Sequence, residues 1–211
     1  MSTKRMQTIG IGAITLAVLT SGCGDVVRQG RSPVQLVINS LEAASGAEPD
    51  DLGTTLLSDV QTLVERSVGG ETVMVPTIFN DVGQVIMSLI LKDPGQSGII
   101  ATPSALNQVT ITRYRVEYRR TDGRRVQGVD VPFSFDSAVT FTVPTEGTIE
   151  AGFEIVRHTA KQEAPLAALR SNPDVIATLA DVTFYGRDQA GNDISVTGTM
   201  GINFGNFADP E

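Results

Sequence analysis

"ISVTGTMGINF", residues 194–204, alternates between two kinds of side chain. Ile194, Val196, Met200, Ile202 and Phe204 fall on one parity; Ser195, Thr197, Thr199 and Asn203 fall on the other. A strand sends successive side chains to opposite faces, so this segment reads as a strand with one buried and one wetted face. Wetted faces belong to antiparallel sheets rather than to parallel sheets covered by helices. The same period recurs at 139–143, with Val139, Phe141 and Val143 against Thr140 and Thr142. It recurs at 129–135, where Val129, Val131, Phe133 and Phe135 are expected to share an inward face.

Turn signals separate these runs. Asp122-Gly123 in "RRTDGRR" is a hairpin signature, and "YGRDQAGNDIS" places a Gly-containing loop before Ile194. "EAPLAALRSN" puts Pro165 at the start of a short helix. About eight strands without a βαβ rhythm predict a mainly β fold, an antiparallel β-sandwich over roughly residues 54–209. "QVIMSLILK", 84–92, is apolar on both faces, so something is expected to cover its second face. The expected cover is a short amphipathic helix at 32–46. Ser32 suits an N-cap, Pro33 the first turn and Gly46 the stop, and Val34, Val37, Ile38 and Leu41 stand at i, i+3, i+4 and i+7. Residues 54–64 are expected to be extended.

The chain has 211 residues and a formal net charge of −8. Residues 1–22 carry Lys4 and Arg5 and no acid, so without them the charge is −10. An acidic surface repels phosphate backbones, which argues against nucleic acid as a partner. A single cysteine, Cys23, excludes an internal disulfide, so the core must hold the fold.

The amino terminus reads as an address. Lys4 and Arg5 precede an eleven-residue apolar run, Ile9–Leu19, too short to span a bilayer and consistent with a signal peptide over 1–22. "LTSGC", 19–23, resembles the bacterial lipoprotein lipobox, although Leu19 stands four residues before the cysteine, with Thr20 in the usual leucine place. The resemblance implies cleavage before Cys23, acyl chains on Cys23 and a lipidated tether over 23–31. It implies membrane attachment through those chains and a place in the cell envelope. Gly24, where an inner-membrane lipoprotein of enteric bacteria carries Asp, implies the outer membrane. The alternative is an ordinary buried or free cysteine. The stretch 182–204 resembles the closing hairpin of bacterial immunoglobulin-like domains, which implies an immunoglobulin-like sandwich. The chain as a whole resembles a group of uncharacterised bacterial lipoproteins, and that resemblance supplies no activity.

Groupings that carry chemistry are few. His158 is the only histidine, which excludes two-histidine metal sites. No G-x-S-x-G elbow, phosphate loop or Ser-x-x-Lys dyad occurs, and lysine stands only at 4, 92 and 161. No enzymatic activity and no cofactor are therefore expected. Asp188, Asn192 and Asp193 are calcium candidates by residue type, although turn residues of this kind commonly bond their own backbone. In "TRYRVEYRR", Arg113, Arg115, Glu117 and Arg119 share one strand face and Tyr114, Val116 and Tyr118 the other. The arginines either receive an anionic partner or pair with acids on neighbouring strands, for example near Glu154. The function expected is a non-catalytic binding or structural module with an envelope protein partner. The alternative is a calcium- or small-ligand-binding envelope protein.

Overall fold

The computed structural model describes residues 30–93, 95 and 101–207. The signal peptide expected over 1–22, and Cys23 with most of its tether, lie outside the described residues. The fold is mainly β. A three-stranded antiparallel sheet has the order β1 (Val34–Ala44), β5 (Asp81–Leu91), β8 (Ile149–Val156). A five-stranded sheet has the order β2 (Thr55–Asp59), β10 (Asp193–Gly205), β9 (Ile176–Asp188), β6 (Val109–Arg120), β7 (Phe135–Val143). A separate hairpin joins β3 (Thr62–Val68) to β4 (Glu71–Thr77). A short helix α1 (His158–Lys161) and a 3-10 turn at Leu166–Ser171, opened by Pro165, link β8 to β9. The purely antiparallel expectation needs one correction, because β2 lies parallel to β10.

The alternation in β10 is as read: Ile194, Met200, Ile202 and Phe204 are buried while Thr197 and Thr199 are exposed. The two larger sheets face each other across the core. Ile38 and Leu41 of β1 close over Gly198 of β10. Tyr114 of β6 meets the Phe153 ring of β8 at 5.2 Å, and Phe153 meets Phe184 of β9 at 5.3 Å, both edge-to-face. The Tyr114 hydroxyl donates to the Glu154 carbonyl at 2.9 Å and accepts from the Glu154 N–H at 3.1 Å.

The expected helix at 32–46 is instead strand β1, and the reason is a bulge. Val34, Leu36 and Ile38 point inward at period two and pair with Leu91, Leu89 and Met87. The register then slips between Ile38 and Ser40, and Leu41 and Ala43 continue the inward face opposite Val85 and Gly83. The slip turns a spacing of two into three, so 34, 38 and 41 mimic a helical stripe. With no helix present, β1 lies beside β5 rather than over its second face, and Ile90 stays 48% exposed. The segment also belongs to the sheets rather than preceding them.

The expected strand at 129–135 is a loop up to β7. Val131 and Phe135 are buried, but Val129 and Phe133 are 68% and 48% exposed. Its backbone bonds go to local turns: the Val126 carbonyl accepts from the N–H groups of Val129, Asp130 and Val131. The positive φ of Gly128, 74°, bends the chain there.

Strand pairing gives the body two ends. Ser32 leads in at the near end, which also holds Leu91, Val109, Val143, Ile149 and Asp188. The far end holds Ala44, Asp59, Asp81, Arg120, Val156 and Ile176.

Candidate functional site

Most exposed apolar side chains gather at the far end. Among the described residues, nine of the eleven large exposed hydrophobics lie there, and only Ile90 and Leu106 lie at the near end. The β3–β4 hairpin contributes Val68, Val73 and Met74, and the loop 121–134 contributes Val126, Val129 and Phe133. Leu57, Val175 and Phe207 complete the set. A hairpin of two strands buries little of its own surface, so these side chains remain on offer. Beside the hairpin a cleft of about 320 Å³ is lined by Leu56, Leu57, Phe207 and the carboxylates of Glu48, Asp51 and Asp59. Asp59 is buried and accepts from Thr62 Oγ1 at 3.1 Å.

The far end also holds a polar cluster that the sequence reading missed. Asp81, the first residue of β5, is fully buried, and so are Lys161 and Ser58. Lys161 Nζ donates to Asp81 Oδ1 at 2.7 Å, Ser58 Oγ donates to Oδ2 at 2.6 Å, and the Gly46 N–H donates to Oδ1 at 3.1 Å. Burial pushes the Asp81 carboxyl up from its usual range, against the pull of Lys161, Ser58 and Gly46. Burial also pushes the neighbouring Tyr118 hydroxyl up, with the Asp81 charge adding to it. One signal was legible: Asp81 stands on the inward parity of an apolar strand, in step with Gly83, Val85, Met87 and Leu89.

The arginines of β6 do share a face, and carboxylates on neighbouring strands engage them. Arg113 Nη1 meets Asp136 of β7 at 3.1 Å and Arg115 Nη1 meets it at 2.6 Å. Arg119 Nε meets Asp181 of β9 at 3.1 Å. Burial alone would raise Asp181, but hydrogen bonds from Arg119 and Thr199 outweigh it and hold the carboxyl below its usual range. Glu154 is not a partner of these arginines. It lies on the other sheet, where its backbone meets Tyr114.

Asp188 organises its own turn. Its Oδ1 accepts from the Ala190 and Asn192 N–H groups at 3.0 and 2.9 Å, and its Oδ2 accepts from Asn192 Nδ2 at 2.8 Å. Asp193 is taken by Arg187 Nε at 2.6 Å. These oxygens face donors, and no group of three or more metal-ligating acids, histidines or cysteines occurs among the described residues. His158 opens α1, exposed, with its N–H and Nδ1 at 2.6 and 2.8 Å from Asn80 Oδ1.

No family model, curated protein or solved structure matches the chain. Among the described residues no helix is long and apolar enough to cross a membrane.

Proposed function

We propose that the chain is a lipid-anchored cell-envelope protein whose β domain is a non-catalytic binding or structural module. The membrane would be held through acyl chains on Cys23, and the outer membrane is the site that Gly24 favours. The two facing sheets and the closing β9–β10 hairpin support an immunoglobulin-like β-sandwich as its fold.

One observation carries this reading: the N-terminal lead-in and the exposed apolar side chains stand at opposite ends. The nine peptide links from Cys23 to Ser32 reach about 30 Å at most. The twelve residues of β6 set the far end about 40 Å from the near one. An anchor on Cys23 would therefore hold the apolar end outward, concentrated at a surface where an envelope protein can meet it. Nucleic acid is disfavoured as that partner by the net charge of −8.

A photo-crosslinking residue in place of Phe133 should capture a neighbour in whole cells, and one in place of Glu146, at the near end, should not. Equal capture at both positions would sink the far-end surface. Cys23→Ser should move the protein out of the membrane fraction, and unchanged fractionation would sink the anchor.

A second reading rests on the cleft. Glu48, Asp51 and Asp59 line it together with Leu56 and Phe207, a mixture that suits a small organic cation with an apolar body. Calorimetry with a panel of aliphatic and aromatic amines tests it, and no heat from any of them removes it.

A further inference from the structure

A lysine ammonium carries three donors and is costly to bury unless each finds an acceptor. Lys161 is fully buried, yet among the described residues its Nζ makes one hydrogen bond, to Asp81. The pair is held at 2.7 Å by elements 80 residues apart, α1 and the start of β5. Two further donors bear on the same carboxyl group, Ser58 Oγ and the Gly46 N–H. They draw electron density from Cγ, which makes that carbon a better electrophile. Low dielectric also favours neutral partners over a separated charge pair, and the direction of the Asp81 shift agrees with this.

We propose that Lys161 and Asp81 condense into an intramolecular amide that staples α1 to β5. Proton transfer from Lys161 Nζ to Asp81 Oδ1 first converts the ion pair into amine and acid. The Nζ lone pair then attacks Cγ, and Oδ2 bears the developing charge under the Ser58 hydroxyl. The Cγ–Oδ1 bond breaks as Oδ1 takes a second proton from Nζ and leaves as water. One N–C bond forms, one C–O bond breaks, and the two protons lost from Nζ leave with the oxygen. No oxidant, reductant or co-reactant is needed. Proximity in a dry interior orients the two groups, and the Ser58 hydroxyl stabilises the charge that develops on Oδ2. The product replaces three buried donors on Nζ with one, removes both charges, and keeps Oδ2 as an amide oxygen under the Ser58 hydroxyl. It would give a chain with one cysteine the covalent cross-link that a disulfide cannot supply.

The test is a tryptic map of the full-length protein after denaturation. Trypsin cuts after Lys161 only while its amine is free. The expected product is a peptide spanning 158–170, uncut at Lys161 and joined to the peptide spanning 67–92. Its mass should be one water below the sum of the two. Asp81→Ala should restore cleavage after Lys161 and abolish the joined species. Release of His158–Lys161 from the wild-type chain, with the Asp81 peptide at its sequence mass, would overturn the proposal. The wild-type map decides this even if the variant fails to fold.

Discussion

Gly198 of β10 lies directly beneath Ile38 of β1, and a Cβ at position 198 would stand 2.9 Å from Ile38 Cδ1. The bulge in β1 is what delivers Ile38, and Leu41 beside it, to this glycine. The contact atoms are the far ends of flexible side chains, so a methyl group can be accommodated by small rotations. At Gly186 the obstacle is the Thr110 carbonyl, which belongs to the ladder between β6 and β9. Gly198→Ala should therefore stay within about 1 kcal/mol of wild type, whereas Gly186→Ala should lose about 1–3 kcal/mol. Urea unfolding midpoints check the order, and a reversed order refutes this account of the packing.

Tyr114 connects the two sheets through one hydroxyl that both donates to and accepts from Glu154. Tyr114→Phe keeps the ring contacts with Phe153 and Phe184 but strands a carbonyl and an N–H. The expected cost is about 1–3 kcal/mol, read from chemical denaturation. A neutral outcome would mean that water replaces the hydroxyl.

Acid should weaken the fold in part through Asp188. Burial alone would raise its carboxyl, but the Asn192 side chain and N–H, Ser32 and the Ala190 N–H outweigh it and lower the pKa. A carboxyl lowered on folding stabilises above its unfolded value, and that contribution disappears as pH falls through the folded value. Asp181 contributes with the same sign. Asp81, whose free carboxyl burial raises, works in the opposite direction wherever it has not condensed with Lys161. The variant is therefore more diagnostic than the wild-type slope: Asp188→Asn should be less stable at neutral pH and show a shallower loss below about pH 4. Denaturation midpoints measured across that range test this, and parallel curves would contradict it.

The arginine face of β6 should matter little to stability. Arg113 and Asp136 are 54% and 42% exposed, and exposed pairs are worth about 0–1 kcal/mol. Asp136→Asn is expected to leave the melting temperature nearly unchanged while releasing Arg113 from its carboxylate; Arg115 keeps Glu117 at 3.2 Å. A gain of retention on an anionic resin would show that Asp136 is what masks this strand.

Strands β6, β7 and β10 were legible from parity, because each turns one face inward and wets the other. So was the split of β6 into arginines outside and tyrosines inside. β1 was not legible: one extra residue in a bulge makes a strand's inward set imitate a helix, and only pairing with β5 distinguishes the two. The loop 121–134 failed for the converse reason. Its apolar residues alternate, but no neighbouring strand takes their backbone groups.

By itself the sequence determined the class of the fold, the acidic surface, and the lipobox-like stretch around Cys23, because these depend on local period, composition and short motifs. The tertiary structure decided that β2 runs parallel to β10, that Asp81 meets Lys161, and that the exposed apolar side chains collect opposite the N-terminal lead-in. Those relations join residues far apart in the chain. Their energies arise only when burial brings distant groups together, so no local pattern announces them.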